Sequence, residues 1–443
     1  MGKKNKTDPE TTVKKGKKGK IPFDFLNVRF DTIERDTIMK HIVLLVAASL
    51  LTKLVLLFVT TFVFHSFIDL FDIGFYFDHA KLLLQGQLPY INYSFDYPVL
   101  VFVPITIAFV PALLLQNAMT FVYSFQILMV LADIVTLLCI YLIGLKVWDE
   151  KRAFFAGLLY ATAFSTAYFV LTKYDAFPTA LLMLAILFTI YGMNLKGYLS
   201  ATLGFFAKIF PAIAFPFMLL YNAKETSIKE EIISVLKIVV PVSVVLFLPL
   251  FILRPDVINS YLFATGGSVG IYANTATNTI CFWLQDIVHL GIPSSAVSLL
   301  MYILMGIFLL LLVFVAYIDP KKNPVTLLKL VLCAIFCLVF FTKFHSPQYI
   351  VWFTPFLCLL VADNLYTVIL FYITQVFAYI EFPLMFGRFY TNLEYANPVG
   401  SSDWYLTLFF FTVEYVALVL LIFLTVRPDT GIMKRIRVLF PQK

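Results

Sequence analysis

The sequence predicts an all-α protein threaded repeatedly through a membrane. Hydrophobic residues make up 61% of the 443 and charged residues 13%. Soluble domains hold about 45–50% and about 25% respectively. Mean hydropathy is +0.91. The apolar stretches also run unbroken for about 17–25 residues, the length of a membrane-crossing helix. They do not alternate as the strands of a membrane barrel do. An ordinary soluble enzyme, a disordered chain and a fibrous protein are excluded.

The expected spans lie at 41–65, 119–145, 153–171, 176–195, 232–253, 297–318, 325–342, 348–362, 365–386 and 404–426, ten in all. Residues 1–40 form a basic tail, with eight Lys in the first 20 positions against Asp8 and Glu10. Residues 427–443 form another, with five basic side chains against Asp429. The two tails exceed the chain's net charge of +7, so the body between them is slightly acidic. Basic flanks mark the cytoplasmic side, which places both termini there. Their simplest partners are anionic lipid headgroups, not nucleic acid. The first apolar run is too long for the core of a cleaved signal and reads as a retained span. The body, 41–426, is a single transmembrane domain without an internal repeat.

Two apolar pieces do not fit as crossings, because counting them would carry basic loops to the far side. The first, 99–115, contains Pro104 and Pro111 and is expected to seat in the membrane from the outer side. The second, 198–221, contains Gly204, Pro211 and Pro216 and is expected to be a re-entrant pair of half-helices. Broken backbone at membrane depth is tolerated only against protein or a wet cavity, so both point to a buried functional region. Four of the five cysteines (Cys139, Cys281, Cys333, Cys337 and Cys358) sit in apolar runs, and all five read as small core hydrophobes. They imply neither a disulfide framework nor a zinc site, and no metal or other cofactor is required.

The outer loop 66–98 is the most informative stretch. It carries Asp69, Asp72, Asp78, Asp96 and His79. Asp69, Asp72, Tyr76 and His79 are spaced to share one face of a short helix, with Phe71, Phe75 and Leu82 on the other. Gly86 should end that helix and Leu88-Pro89-Tyr90 turn the chain. The plain reading is an interfacial helix with its acids in water. The sharper reading is a carboxylate whose pKa is raised at the membrane surface, fit to take a proton from a hydroxyl.

The string Asp72-Ile-Gly-Phe-Tyr76-Phe-Asp78-His-Ala80, then Gly86-Gln-Leu-Pro89-Tyr90, then Phe95-Asp-Tyr97-Pro98, resembles the first luminal or periplasmic loop of C-type membrane glycosyltransferases. The likeness is to the polyprenyl-phosphate-mannose-dependent mannosyltransferases, including the catalytic-subunit family of glycosylphosphatidylinositol mannosyltransferase I. Lys343-Phe-His345-Ser-Pro347-Gln348-Tyr349-Ile-Val-Trp352 is similar to a late signature of the same families, as are Lys173-Tyr174-Asp175 and Gly204-Phe-Phe-Ala-Lys208-Ile-Phe-Pro211. The chain departs from the pattern at Tyr97-Pro98-Val99-Leu100, where a Pro-Pro-Leu is usual. The resemblance covers roughly 66–360. It implies an inverting transfer of a hexose, usually mannose, from a lipid-phosphate carrier on the extracytoplasmic side, in the plasma membrane or the endoplasmic reticulum. The acceptor would be a lipid-linked or cell-surface glycan. The resemblance also implies Asp72 as general base and Asp78 as a ligand of sugar or acceptor hydroxyls.

Residue chemistry extends this expectation. Lys343 and His345 sit at the outer end of 325–342, where both could reach a phosphate. Gln348 and Tyr349 could hydrogen-bond the sugar or the phosphate. Tyr76, His79 and Asp175 would line the site. Arg254 and Arg388, also at outer span ends, are alternative phosphate ligands. Lys53 and Lys208 are cations within apolar sequence and need partners; Asp133 is a candidate for one of them. A secondary transporter or lipid flippase is the rival class, since broken helices and buried charges suit transporters too. A non-catalytic membrane subunit is a third reading.

Overall fold

The computed structural model describes residues 35–63, 69–93, 95, 97–255, 270–319, 321–386, 390–391, 394–395 and 397–427. Arg388, Asp96 and the two tails beyond residues 35 and 427 lie outside the described residues. The described chain is helical almost throughout. In order the helices are α1 (Arg35–Phe58), α2 (Phe71–Leu84), α3 (Phe102–Leu115), α4 (Ala118–Val147), α5 (Glu150–Ala161), α6 (Phe164–Thr172), α7 (Ala176–Ile190) and α8 (Asn194–Ala207). There follow α9 (Phe215–Asn222), α10 (Ile228–Leu253), α11 (Ala276–Phe282), α12 (Ser294–Ile318), α13 (Pro324–Phe341), α14 (Ile350–Val361), α15 (Leu365–Tyr379) and α16 (Ser402–Val426). A two-residue antiparallel pairing, Tyr390–Thr391 with Glu394–Tyr395, interrupts the last connection.

Local chemistry sets many helix starts. The side chains of Asn117, Asp149, Ser227, Thr275, Asn323, Asn364 and Ser401 each accept a backbone N–H of the first turn that follows. These short polar residues satisfy amides that the helix cannot.

Among the described residues, seven helices are long and apolar enough to cross a membrane. The pair α5 and α6, bent by 56° at a short break, makes an eighth if counted as one span. The expected spans at 176–195 and 348–362 fall on the shorter apolar helices Ala176–Ile190 and Pro347–Val361. The protein is therefore a multi-pass α-helical membrane protein.

The break expected in 198–221 is present. Helix α8 stops at Ala207, Lys208 is extended, a 3-10 turn covers Phe210–Ala214, and α9 follows. Gly204 permits this fold-back, because a Cβ there would stand 2.9 Å from the Cβ of Pro211. At 99–115 a 3-10 turn, Val99–Val101, leads into α3.

Helix α2 departs from its expected orientation. Phe71, placed on the apolar side by sequence, is 80% exposed, while Ile73, Tyr76 and Ala80 are buried. These three join a core with Tyr90, Phe95, Phe102, Phe125 and Tyr174. The docked face is thus the one that carries Tyr76. The physical reason is that Lys173 supplies a partner for the acids at its edge, so that edge gains by turning inward.

In the main bundle, Lys53 Nζ lies 2.7 Å from Asp133 Oδ2 and 2.7 Å from Ser49 Oγ, and Tyr160 donates to Asp133 Oδ1 at 2.6 Å. All four residues are buried. Lys53→Met leaves the Asp133 carboxylate without a counter-charge and should cost about 3–5 kcal/mol. Thermal unfolding in detergent checks this, with Lys53→Met/Asp133→Asn expected to regain most of the loss.

Candidate functional site

A cavity of about 830 Å³ opens between the broken segment 208–217, α12, α13 and the 342–352 stretch. Its wall includes Tyr97, Lys208, Tyr272, Lys343, Ser346, Gln348 and Tyr349, which carry polar groups. It also includes the apolar Ile213, Pro216, Phe217, Leu309, Val313 and Leu338. The broken helix builds this space: ending α8 at Ala207 frees the extended Lys208 to face a gap that a continuous helix would fill.

Lys208 is held in place by both charge and rings. Its Nζ is 2.6 Å from Asp175 Oδ1. It also lies 4.8, 5.1 and 5.5 Å from the ring centres of Tyr174, Trp352 and Tyr349, within reach of each π face. Trp352 Nε1 donates to the same Asp175 oxygen at 2.5 Å. The Trp352 ring stacks on Phe210 at 4.2 Å and on Tyr349 at 3.7 Å. Asp175 is fully buried, and its second oxygen has no hydrogen-bond partner among the described residues. Lys343 also lines the cavity, and its ammonium forms no ion pair with a described residue. Its backbone carbonyl accepts the N–H of Tyr272 at 2.9 Å, which ties two lining segments together. Gln348 Oε1 accepts from Ser346 Oγ at 2.6 Å. The cavity wall thus offers the Lys208 ammonium, paired with Asp175 beside stacked rings, and the Lys343 ammonium, without an ion pair among the described residues, a lining suited to an anion attached to a polar group.

A second charged group stands behind the cavity-lining Tyr97. Lys173 Nζ lies 2.6 Å from Asp69 Oδ2 and 3.1 Å from Asp72 Oδ2. Burial raises the pKa of Asp72, against the opposing pull of Lys173 and with a smaller push from Asp69 and Asp175. Asp72 is not part of the cavity wall. Tyr97 links the two places, since it lines the cavity and packs edge-on against Tyr76 and Tyr174. The hydroxyls of Tyr76 and Tyr174 are buried and without hydrogen-bond partners among the described residues.

Of the residues singled out by sequence, Lys343, Gln348 and Tyr349 meet at the cavity, with Asp175 behind Lys208. Asp72 and Tyr76 flank it. The remainder are placed differently. Asp78 is 72% exposed and pairs with Lys81 at 3.2 Å, one turn along α2, so it points away. His79 Nδ1 bonds the Phe75 carbonyl at 2.7 Å, and its ring packs on Phe75, Tyr93 and Phe95. His345 faces a separate small cavity with Glu381, Glu414 and Tyr415. Burial lowers its pKa to about 4, so at neutral pH it is uncharged and offers no cation to a phosphate. Arg254 donates to the carbonyls of Tyr90 and Ile91 at 3.1 and 3.0 Å and so braces the first loop. Arg388 lies outside the described residues. Sequence marks Lys208 as a cation in need of a partner but does not point to Asp175, and it does not mark Lys173 as the counter-ion of Asp69 and Asp72. The usable signal was a lysine embedded in apolar sequence, which demands a partner without naming it.

Among the described residues, no group of three or more His, Cys, Asp or Glu converges as a metal site would. No protein-family model matches the sequence, and no curated protein resembles it at a significant level.

Proposed function

We propose that this chain is a membrane-embedded glycosyltransferase with the C-type architecture of about ten spans. It moves a hexose, mannose by resemblance, from a polyprenyl- or dolichyl-phosphate carrier to a lipid-linked or cell-surface glycan. The observation that carries this reading is the cavity's mixed lining: two lysines and stacked rings together with apolar side chains such as Ile213, Phe217 and Leu309. Such a lining suits an amphiphile with an anionic head. The reaction would face the extracytoplasmic side, with both basic tails in the cytoplasm of a cell or of the endoplasmic reticulum's host.

In this mechanism the acceptor hydroxyl gives its proton to the Asp72 carboxylate. Its oxygen bonds the anomeric carbon as the bond from that carbon to the phosphate oxygen breaks, which inverts the centre. The lipid phosphate leaves with the electron pair, its charge steadied by Lys343 and Lys208. Asp72 is 17% exposed, enough for an acceptor to reach one oxygen. Its raised pKa makes it a stronger base than an ordinary carboxylate. The transporter reading draws less support, because the mid-bundle charges Lys53 and Asp133 are buried and paired with each other.

The test is transfer of labelled mannose from polyprenyl-phosphate-mannose in membranes carrying the chain, against a panel of glycolipid acceptors. Product dependent on the chain is expected; none with any acceptor overturns the proposal. Lys343→Ala should raise the KM for donor roughly 10- to 100-fold, the value of a charge-assisted hydrogen bond. The KM for acceptor should stay the same. Equal changes in both would remove Lys343 from the phosphate.

A further inference from the structure

One ammonium is divided unequally between two carboxylates at the start of α2. Lys173 is nearer to Asp69, at 2.6 Å, than to Asp72, at 3.1 Å. Asp69 is tethered from two sides. Its Oδ1 accepts the N–H of Phe71 at 3.0 Å, and its own N–H donates to the Tyr168 hydroxyl at 3.2 Å. The Lys173 ammonium is buried and lies 5.5 Å from the Phe382 ring centre. Asp72 Oδ1 makes no hydrogen bond with a described residue. The cation is therefore drawn towards the carboxylate that is pinned, away from the one that is not.

We infer that Asp69 and Lys173 are positioning residues for Asp72: Asp69 holds the shared ammonium off-centre, leaving Asp72 a free oxygen and only part of the cation's field. The inference rests on Asp72 as the proton acceptor proposed above, and it adds how that acceptor is tuned. The charged and titratable groups around Asp72 are Lys173, Asp69 and Asp175, with the Tyr76 phenol beside them. Burial disfavours the Lys173 ammonium, but Asp72 and Asp69 overcome that and hold its pKa above the usual lysine value. Lys173 therefore stays charged at any pH where Asp72 titrates.

The signs then follow. Asp69→Asn keeps the cap on Phe71, since Asn caps as well as Asp, but releases the ammonium to Asp72 and removes a like charge. Asp72 becomes more acidic. Lys173→Met keeps the stem and removes the cation, leaving two carboxylates together, and Asp72 becomes less acidic. The test uses the full chain in detergent. Titration of Asp72 is followed by infrared difference spectroscopy, taking the carboxyl band that Asp72→Asn removes on each background.

The midpoint should move up by about one to three pH units in Lys173→Met. It should move down by about one in Asp69→Asn. Lys173→Arg should stay near wild type and serves if the Met variant fails to fold. The acid limb of transfer should shift in the same two directions. Midpoints unmoved, or moved alike in the Asp69 and Lys173 variants, overturn the inference. Midpoints that move as expected while transfer ignores Asp72→Asn leave this arrangement standing and overturn the catalytic reading instead.

Discussion

Asp72→Asn is expected to abolish hexose transfer, with a loss of about 10²–10⁴-fold, the usual worth of a positioned base. The amide has nearly the volume of the carboxylate and can still accept a hydrogen bond from Lys173, so the α2 junction should persist. What it cannot do is take a proton from a hydroxyl. The side chain is also partly exposed, so the unfolding midpoint should change little. Because burial holds the Asp72 pKa above the ordinary carboxylate range, the wild-type rate should fall on the acid side at a pH higher than a surface aspartate would give. Below that limb the carboxyl is protonated and the base is lost. The check is initial rate against pH in reconstituted membranes, with expression and unfolding measured in parallel. Wild-type turnover by Asp72→Asn would remove it from the chemistry.

The second large effect is expected on stability as well as rate. Lys208→Met strands the Asp175 carboxylate, which is fully buried and already carries one oxygen without a partner among the described residues. Only the Trp352 N–H, at 2.5 Å, would remain. Removing one member of such a pair costs about 3–5 kcal/mol. The strain should fall on the joint between α8 and the 210–214 turn, where Lys208 is the extended residue and Phe210 stacks on Trp352. A lower unfolding midpoint is expected, with an early change in tryptophan fluorescence. Lys208→Met/Asp175→Asn should recover most of the midpoint, because no bare charge is left buried. It should not recover transfer, since the cavity would still lack its second cation. Equal midpoints for single and double variants would show that the pair contributes nothing to the fold.

Much of the architecture was legible because hydropathy is a property of neighbouring residues. Among the described residues the expected spans fall on helix, one of them bent at a short break, and seven helices are long and apolar enough to cross a membrane. The breaks were legible for the same reason. Gly204 weakens a helix interior and Pro211 and Pro216 suit first turns, and the chain does break at Lys208, with each proline in the first turn of a new segment. The end of α2 was also readable: Gly86 takes a φ of +75°, which a glycine adopts without cost.

The site was legible only in parts. Lys343, Gln348 and Tyr349 lie close together in sequence, and they meet at the cavity. His345 stands among them in the chain yet turns to the opposite side, because a short turn sends adjacent side chains in different directions. Asp78 and Asp72 are equally acidic in sequence. Only the docking of α2 decides that one sits by Lys173 and the other in water. By itself the sequence determined that this is a polytopic helical membrane protein, where its helices break and which lysines must find partners. Tertiary structure alone decided the partners: Lys53 with Asp133, Lys208 with Asp175, Lys173 with Asp69 and Asp72. The reason is that insertion sums over neighbouring side chains, while the choice of counter-ion depends on distances between helices that no local sum contains.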